Sequence, residues 1–172
     1  MSGVSGEPRK PLDRDEEALV RSLFRVMYLL PRAIDADMVC DRQLPLTEYT
    51  ALMRLSEAPE RQLRMSELAF ACHLSLSGMT RTITRLETQG LVRRVRSLED
   101  ARGWNAVLTD AGFARLTESW PSHLAAVRRR FLDHFEGVDL ARLADVFARV
   151  GTVVEPHDGD GDTVAEPSRN CR

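Results

Sequence analysis

Met65 to Thr109 reads MSELAFACHLSLSGMTRTITRLETQGLVRRVRSLEDARGWNAVLT, and this stretch decides the fold. Its period predicts a short helix, a tight turn at His73-Leu74-Ser75, and a second helix over Ser77 to Gln89. A basic strand, a loop and a return strand follow. Met79, Ile83 and Leu86 recur at i, i+4 and i+7, which places them on one buried stripe. The opposite face carries Ser77, Thr80, Arg81, Thr84, Arg85 and Thr88, all hydrogen-bond donors, with no carboxylate among them. Gly90 stands where a helix C-terminus favours a left-handed residue, and LVRRVR from Leu91 onward turns extended and basic. A helix solvated on one face by Thr and Arg has the chemistry to enter a DNA major groove.

The flanks supply the rest of the order. Ser66 is expected to cap the first helix, Glu67 to Cys72, with Leu68 and Ala69 inward. Arg61 to Arg64 is expected to form a short strand with Leu63 inward. Upstream, Thr47 is the expected N-cap of a helix from Glu48 to Glu57, carrying Tyr49, Leu52, Met53 and Leu55 and ended by Pro59. Before it, a long helix runs from Asp13 to about Asp37. Its stripe is Leu19, Leu23, Val26, Leu30 and Ile34, and Asp13, Asp15, Glu16 and Glu17 suit its positive end. Pro31 should kink or break that helix near Leu30.

Downstream, Leu91 to Arg96 and Trp104 to Leu108 are expected to pair across SLEDARG. Thr109 then caps a helix from Asp110 to about Phe135, bent after Trp120 by Pro121. Phe113, Leu116, Trp120, Leu124, Val127, Phe131 and Phe135 make a near-heptad seam along it. A helix of about 26 residues spans about 39 Å, longer than a small domain covers alone, so the seam calls for a partner helix. Gly137 ends it, and Asp139 caps a last helix with Leu140, Leu143, Val146, Phe147 and Val150.

Composition bounds the function. The chain has 172 residues and a net charge of −2, so as a whole it does not advertise nucleic acid. The distribution does: Arg61 to Arg102 holds eight Arg against four acids, whereas Glu155 to Arg172 holds five acids against two Arg. No apolar run reaches the ~18–20 residues of a membrane span, and the N-terminal stretch lacks the apolar core of a signal peptide. Cys40, Cys72 and Cys171 are scattered, which suits a reducing cytoplasm. DGDGD in the tail has Thr163 and Arg169 where a calcium loop needs Gly and Glu, so that motif is rejected. His73 reads as a turn residue rather than a metal ligand, and His123, His134 and His157 are dispersed. No nucleophile–base arrangement, phosphate loop or metal spacing is present. Neither an enzyme nor a cofactor is expected.

LSLSGMTRTITRLETQGLVRR, then DARG, then AVLTDAG, taken in that order, resemble the winged helix-turn-helix of MarR-type transcriptional regulators. The fold class this implies is mainly α with a small β-wing, flanked by long dimerisation helices. The domains expected are a disordered arm (1–12), a dimerisation helix (13–45), a winged DNA-binding domain (46–109), C-terminal dimerisation helices (110–152) and a disordered acidic tail (153–172). The function implied is a homodimeric regulator, a repressor by expectation, bound to double-stranded DNA at a near-palindromic operator.

Phosphate anchoring would fall to Ser75, Ser77, Arg93 and Arg94, and base reading to Gly78, Thr80, Arg81, Thr84 and Arg85. The resemblance implies that Arg102 enters the minor groove while Asp100 holds its guanidinium, which accords with the strong negative potential of a narrow groove. It also implies a pocket for a small aromatic effector between the dimerisation helices and the winged domain. Met27, Tyr28, Met53, Trp120 and His123 are the candidates to line it, and they read equally well as core. The alternatives are thiol-redox control and a winged-helix protein-interaction module without DNA binding.

Overall fold

The computed structural model describes residues 10–42, 44–96 and 103–154. Its helices are α1 (Arg14–Arg42), α2 (Leu46–Glu57), α3 (Met65–Ala71), α4 (Leu76–Thr88), α5 (Asp110–Arg130) and α6 (Leu140–Val154). Its strands are β1 (Gln62–Arg64), β2 (Val92–Arg96) and β3 (Trp104–Leu108). The expected arm before Lys10, the wing tip and the tail after Val154 lie outside the described residues. Described residues up to His134 form one compact unit, and those from Phe135 form a second.

In the first unit the strands form one antiparallel sheet in the order β1-β3-β2. Val92 faces Leu108 and Arg96 faces Trp104, while Leu63 faces Ala106. Val92, Ala106 and Leu108 turn inward onto Leu52, Leu55, Leu68, Met79, Ile83 and Leu86, so one core holds α2, α3, α4 and the sheet together. Gly90 has φ +73°. The Gly90 N–H donates to the Glu87 carbonyl and the Leu91 N–H to that of Leu86, the paired bonds of a left-handed helix stop. At the start of α5 the Thr109 hydroxyl accepts from the Gly112 N–H at 3.0 Å and donates to the Gly90 carbonyl at 2.8 Å. A Cβ on Gly112 would stand 2.0 Å from the Leu91 carbonyl oxygen, so the two chain segments meet there only because this residue has no side chain.

Several local expectations need correction. α1 runs unbroken through Pro31 to Arg42. Proline removes one donor, but Ile34 and Met38 beyond it are buried against the core, and this packing sustains the next turns. α2 starts at Leu46 rather than after Thr47. Its first N–H donates to the Asp35 carboxylate of α1 at 2.7 Å, which satisfies an orphan donor and sets a negative charge at the positive helix end. α3 starts at Met65, ahead of Ser66, and there the Arg64 N–H donates to the Glu67 carboxylate at 3.1 Å. α5 ends at Arg130, five residues short of Phe135.

The α5 seam also divides. Gly112, Leu116, Ser119 and Ala126 are buried, whereas Phe113, Trp120 and Leu124 are exposed. Small inward residues let α1 and α2 approach α5 closely, and the bulky ones are left on the outer side. α1 and α5 are further held by Asp37, whose carboxylate meets Arg129 and Arg130 at 2.8 Å each. The N-terminal half of α1 exposes Leu19, Phe24 and Met27. In the second unit the Asp139 carboxylate caps α6 by accepting from the Arg142 N–H at 3.0 Å. Leu140, Val146, Phe147 and Val150 along α6 are exposed. Among the described residues no helix is long and apolar enough to cross a membrane.

Candidate nucleic-acid interface

α3 and α4 meet across a turn in which His73 adopts φ +52°. The Leu74 N–H closes the turn on the Ala69 carbonyl at 2.9 Å. Ser75 then caps α4, its hydroxyl accepting from the Gly78 N–H at 3.1 Å and lying 3.2 Å from the Ser77 hydroxyl. Ser75 and Ser77 are both exposed, as an anchor for phosphate at a helix N-terminus requires. Gly78 is half-buried, and a Cβ there would stand 3.2 Å from the Ser75 hydroxyl, close enough to press on the cap.

Met79, Thr82, Ile83 and Leu86 of α4 are buried, which turns Thr80, Arg81, Thr84, Arg85 and Thr88 outward. The threonines of this face are not the free donors that the sequence suggests. Thr80, Thr84 and Thr88 donate to the carbonyls of Leu76, Thr80 and Thr84 at 2.8, 2.8 and 2.9 Å. With those protons engaged, their oxygens present lone pairs outward, and their methyl groups suit a thymine methyl.

The arginines differ from one another. Arg81 and Arg93 are exposed and have no ion-pair partner among the described residues. The Arg85 Nε donates to the Glu48 carboxylate of α2 at 2.7 Å. Arg94 of β2 donates to the Thr84 hydroxyl and lies 3.1 Å from the Glu87 carboxylate, which ties the wing strand to α4. A cleft of about 330 Å³ lies beside this face, between the start of α3, Thr80 and the strand residues Arg94 and Trp104. Asp100 and Arg102 lie outside the described residues.

The candidate effector residues do not all meet. His123 of α5 stacks on Tyr49 of α2 with ring centroids 4.3 Å apart, and Trp120 tilts against His123 at 6.1 Å. Met53 packs on the core nearby in α2. Met27 and Tyr28 are exposed on the N-terminal half of α1, and Arg32 covers the Tyr28 ring at 3.6 Å. Burial lowers the His123 pKa, and burial, with a smaller contribution from Glu57, pushes that of Tyr49 up to about 12. Neither the Tyr49 hydroxyl nor His123 Nδ1, both buried atoms, has a hydrogen-bond partner among the described residues. The sequence marks Tyr49 as core only, because its spacing shows the stripe and not the ring stacked on it.

Residues 42–103 match the model of the MarR family. The fold matches Sco3205, a MarR family transcriptional regulator from Streptomyces coelicolor solved in complex with DNA. The TM-score is 0.79 and the identity 31%, covering 89% of this chain and 96% of that one. The chain belongs to the MarR family. AbsC, a MarR family regulator from the same organism, is 33% identical with a TM-score of 0.74, over 84% of this chain and 97% of its own. The HTH-type transcriptional repressor YetL of Bacillus subtilis is 30% identical over 142 residues, 81% of this chain and 84% of YetL. The protein is thus a MarR family transcriptional regulator with a DNA-binding winged helix-turn-helix, in which α3 and α4 are the two motif helices and β2–β3 the wing.

Proposed function

We propose that the protein is a homodimeric repressor that places α4 of each subunit in the major groove of a near-palindromic operator and its wing in the adjacent minor groove. The observation that carries this is the outer face of α4. It has a capped, exposed N-terminus, a row of threonines, and at Arg81 an exposed cation unengaged among the described residues. Ser75, Ser77, Arg93 and Arg94 take phosphates; Gly78, Thr80, Arg81, Thr84 and Arg85 face the bases; Arg102 enters the minor groove with Asp100 orienting it. Two copies associate through the exposed apolar residues of the N-terminal half of α1 and of α6.

A small aromatic effector that enters beside Trp120, His123 and Met53 releases the operator; Met27 and Tyr28, exposed on the N-terminal half of α1, stand apart from that group. Thiol control is the weaker reading: burial raises the Cys72 pKa, which disfavours the reactive thiolate. Binding of the purified protein to fragments of its own upstream region and to random DNA tests the proposal. One fragment bound about 10³-fold or more above the others would support it. Equal binding to all fragments at every salt concentration would refute it.

A further inference from the structure

Glu48 is an ionisable side chain that the outer face of α4 does not include, yet it reaches that face. It is 3% exposed, on the first turn of α2, and a carboxylate so placed needs a partner. The partner is Arg85, whose Nε donates to Glu48 Oε1 at 2.7 Å across 37 residues of sequence. The Arg85 side chain nevertheless keeps 52% of its surface open. A guanidinium is planar and carries five N–H donors in a fixed fork. Holding it by Nε therefore sets the plane of the others without using them. Arg85 lies one helical turn beyond Arg81 on the outer face of α4.

We infer that Glu48 is a positioning residue for operator recognition, fixing the Arg85 guanidinium so that its remaining N–H groups meet the DNA in one orientation. This rests on the DNA-binding reading above and adds to it a residue that touches no DNA. Glu48 acts through Arg85, in the way that any carboxylate behind a guanidinium lowers the cost of ordering it.

The test uses the full-length protein and the duplex that it selects from a random pool. Affinities for that duplex and for random DNA are measured for the wild type and for Glu48→Met, Arg85→Met, the double variant, Arg85→Lys and Glu48→Gln, together with the thermal unfolding of each. Glu48→Met and Arg85→Met are each expected to lose about tenfold on the selected duplex and less than about twofold on random DNA. The double variant should lose no more than Arg85→Met alone. Arg85→Lys should keep its melting temperature yet lose the preference, because an ammonium held by Glu48 has no fixed planar fork to present to a base. Glu48→Gln, which keeps an acceptor, should recover part of the loss. Losses that multiply in the double variant, or a Glu48→Met protein with full preference, would overturn the positioning role alone. Should Glu48→Met fail to fold, Arg85→Lys with wild-type preference would overturn it equally. A wild-type protein that selects no sequence would overturn both this role and the DNA-binding reading beneath it.

Discussion

At the scale of single residues, α4 and the adjoining strand β2 carry two kinds of arginine. Arg81 is exposed and has no ion-pair partner among the described residues, whereas Arg85 and Arg94 are engaged by Glu48, Glu87 and Thr84. Arg81→Ala should therefore weaken operator binding by about 1–3 kcal/mol while barely changing binding to random DNA; equal losses on both would remove Arg81 from base reading. Backbone freedom matters most at Gly112. An added methyl there meets the Leu91 carbonyl oxygen at 2.0 Å, so Gly112→Ala should cost about 3 kcal/mol in urea unfolding. Gly90→Ala, with open space but φ +73°, should cost roughly 1–2 kcal/mol. A Gly112→Ala protein as stable as the wild type would show that the segments can move apart freely.

At the scale of elements, what was legible in the sequence is what neighbours in the chain decide. The stripe of Met79, Ile83 and Leu86, the left-handed stop at Gly90, the Thr109 cap and the β2–β3 pairing all depend on residues close in sequence, and all are found. What was not legible depends on distant partners. Asp35 caps α2 across 11 residues. Packing beyond Pro31 sustains α1, and the choice of inward residues on α5 follows from which helices cover it. Even the threonine face presents its donors outward when only the sequence is considered, because i−4 bonding to a carbonyl leaves no trace in composition.

The α1–α5 contact gives a pH prediction at this scale. Hydrogen bonds from Arg130 and then Arg129 hold the Asp37 carboxyl well below the usual carboxylate range. A depressed carboxyl contributes stability that is present above its unfolded pKa and is lost as pH falls toward its folded one. Stability should therefore decline below about pH 5, and Asp37→Asn should flatten that decline while lowering stability at neutral pH. A variant whose unfolding midpoint follows the wild type from neutral to pH 3 would show that the clamp contributes nothing.

At the scale of the whole molecule, exposed apolar side chains are concentrated on the N-terminal half of α1 and on α6. A monomer rarely leaves such surfaces open. Phe24→Asp and Val150→Asp should each shift the sedimentation of the protein from dimer toward monomer and weaken operator binding more than tenfold, since a dimer gains from binding two half-sites together. Monomeric wild-type protein at micromolar concentration would contradict this. The net charge of −2 is no obstacle to the proposed DNA binding, because the sequence from Arg61 to Arg102, which the proposal brings to the duplex, is rich in Arg.

Whether the α4 face reads a particular DNA sequence is decided by titrating the wild-type protein against its upstream region and against random DNA across a salt series. One near-palindromic fragment should bind about 10³-fold or more above random DNA. Both affinities should fall steeply and linearly on a log–log salt plot. Affinity that is the same for every fragment, or that does not change with salt, would contradict sequence reading by α4.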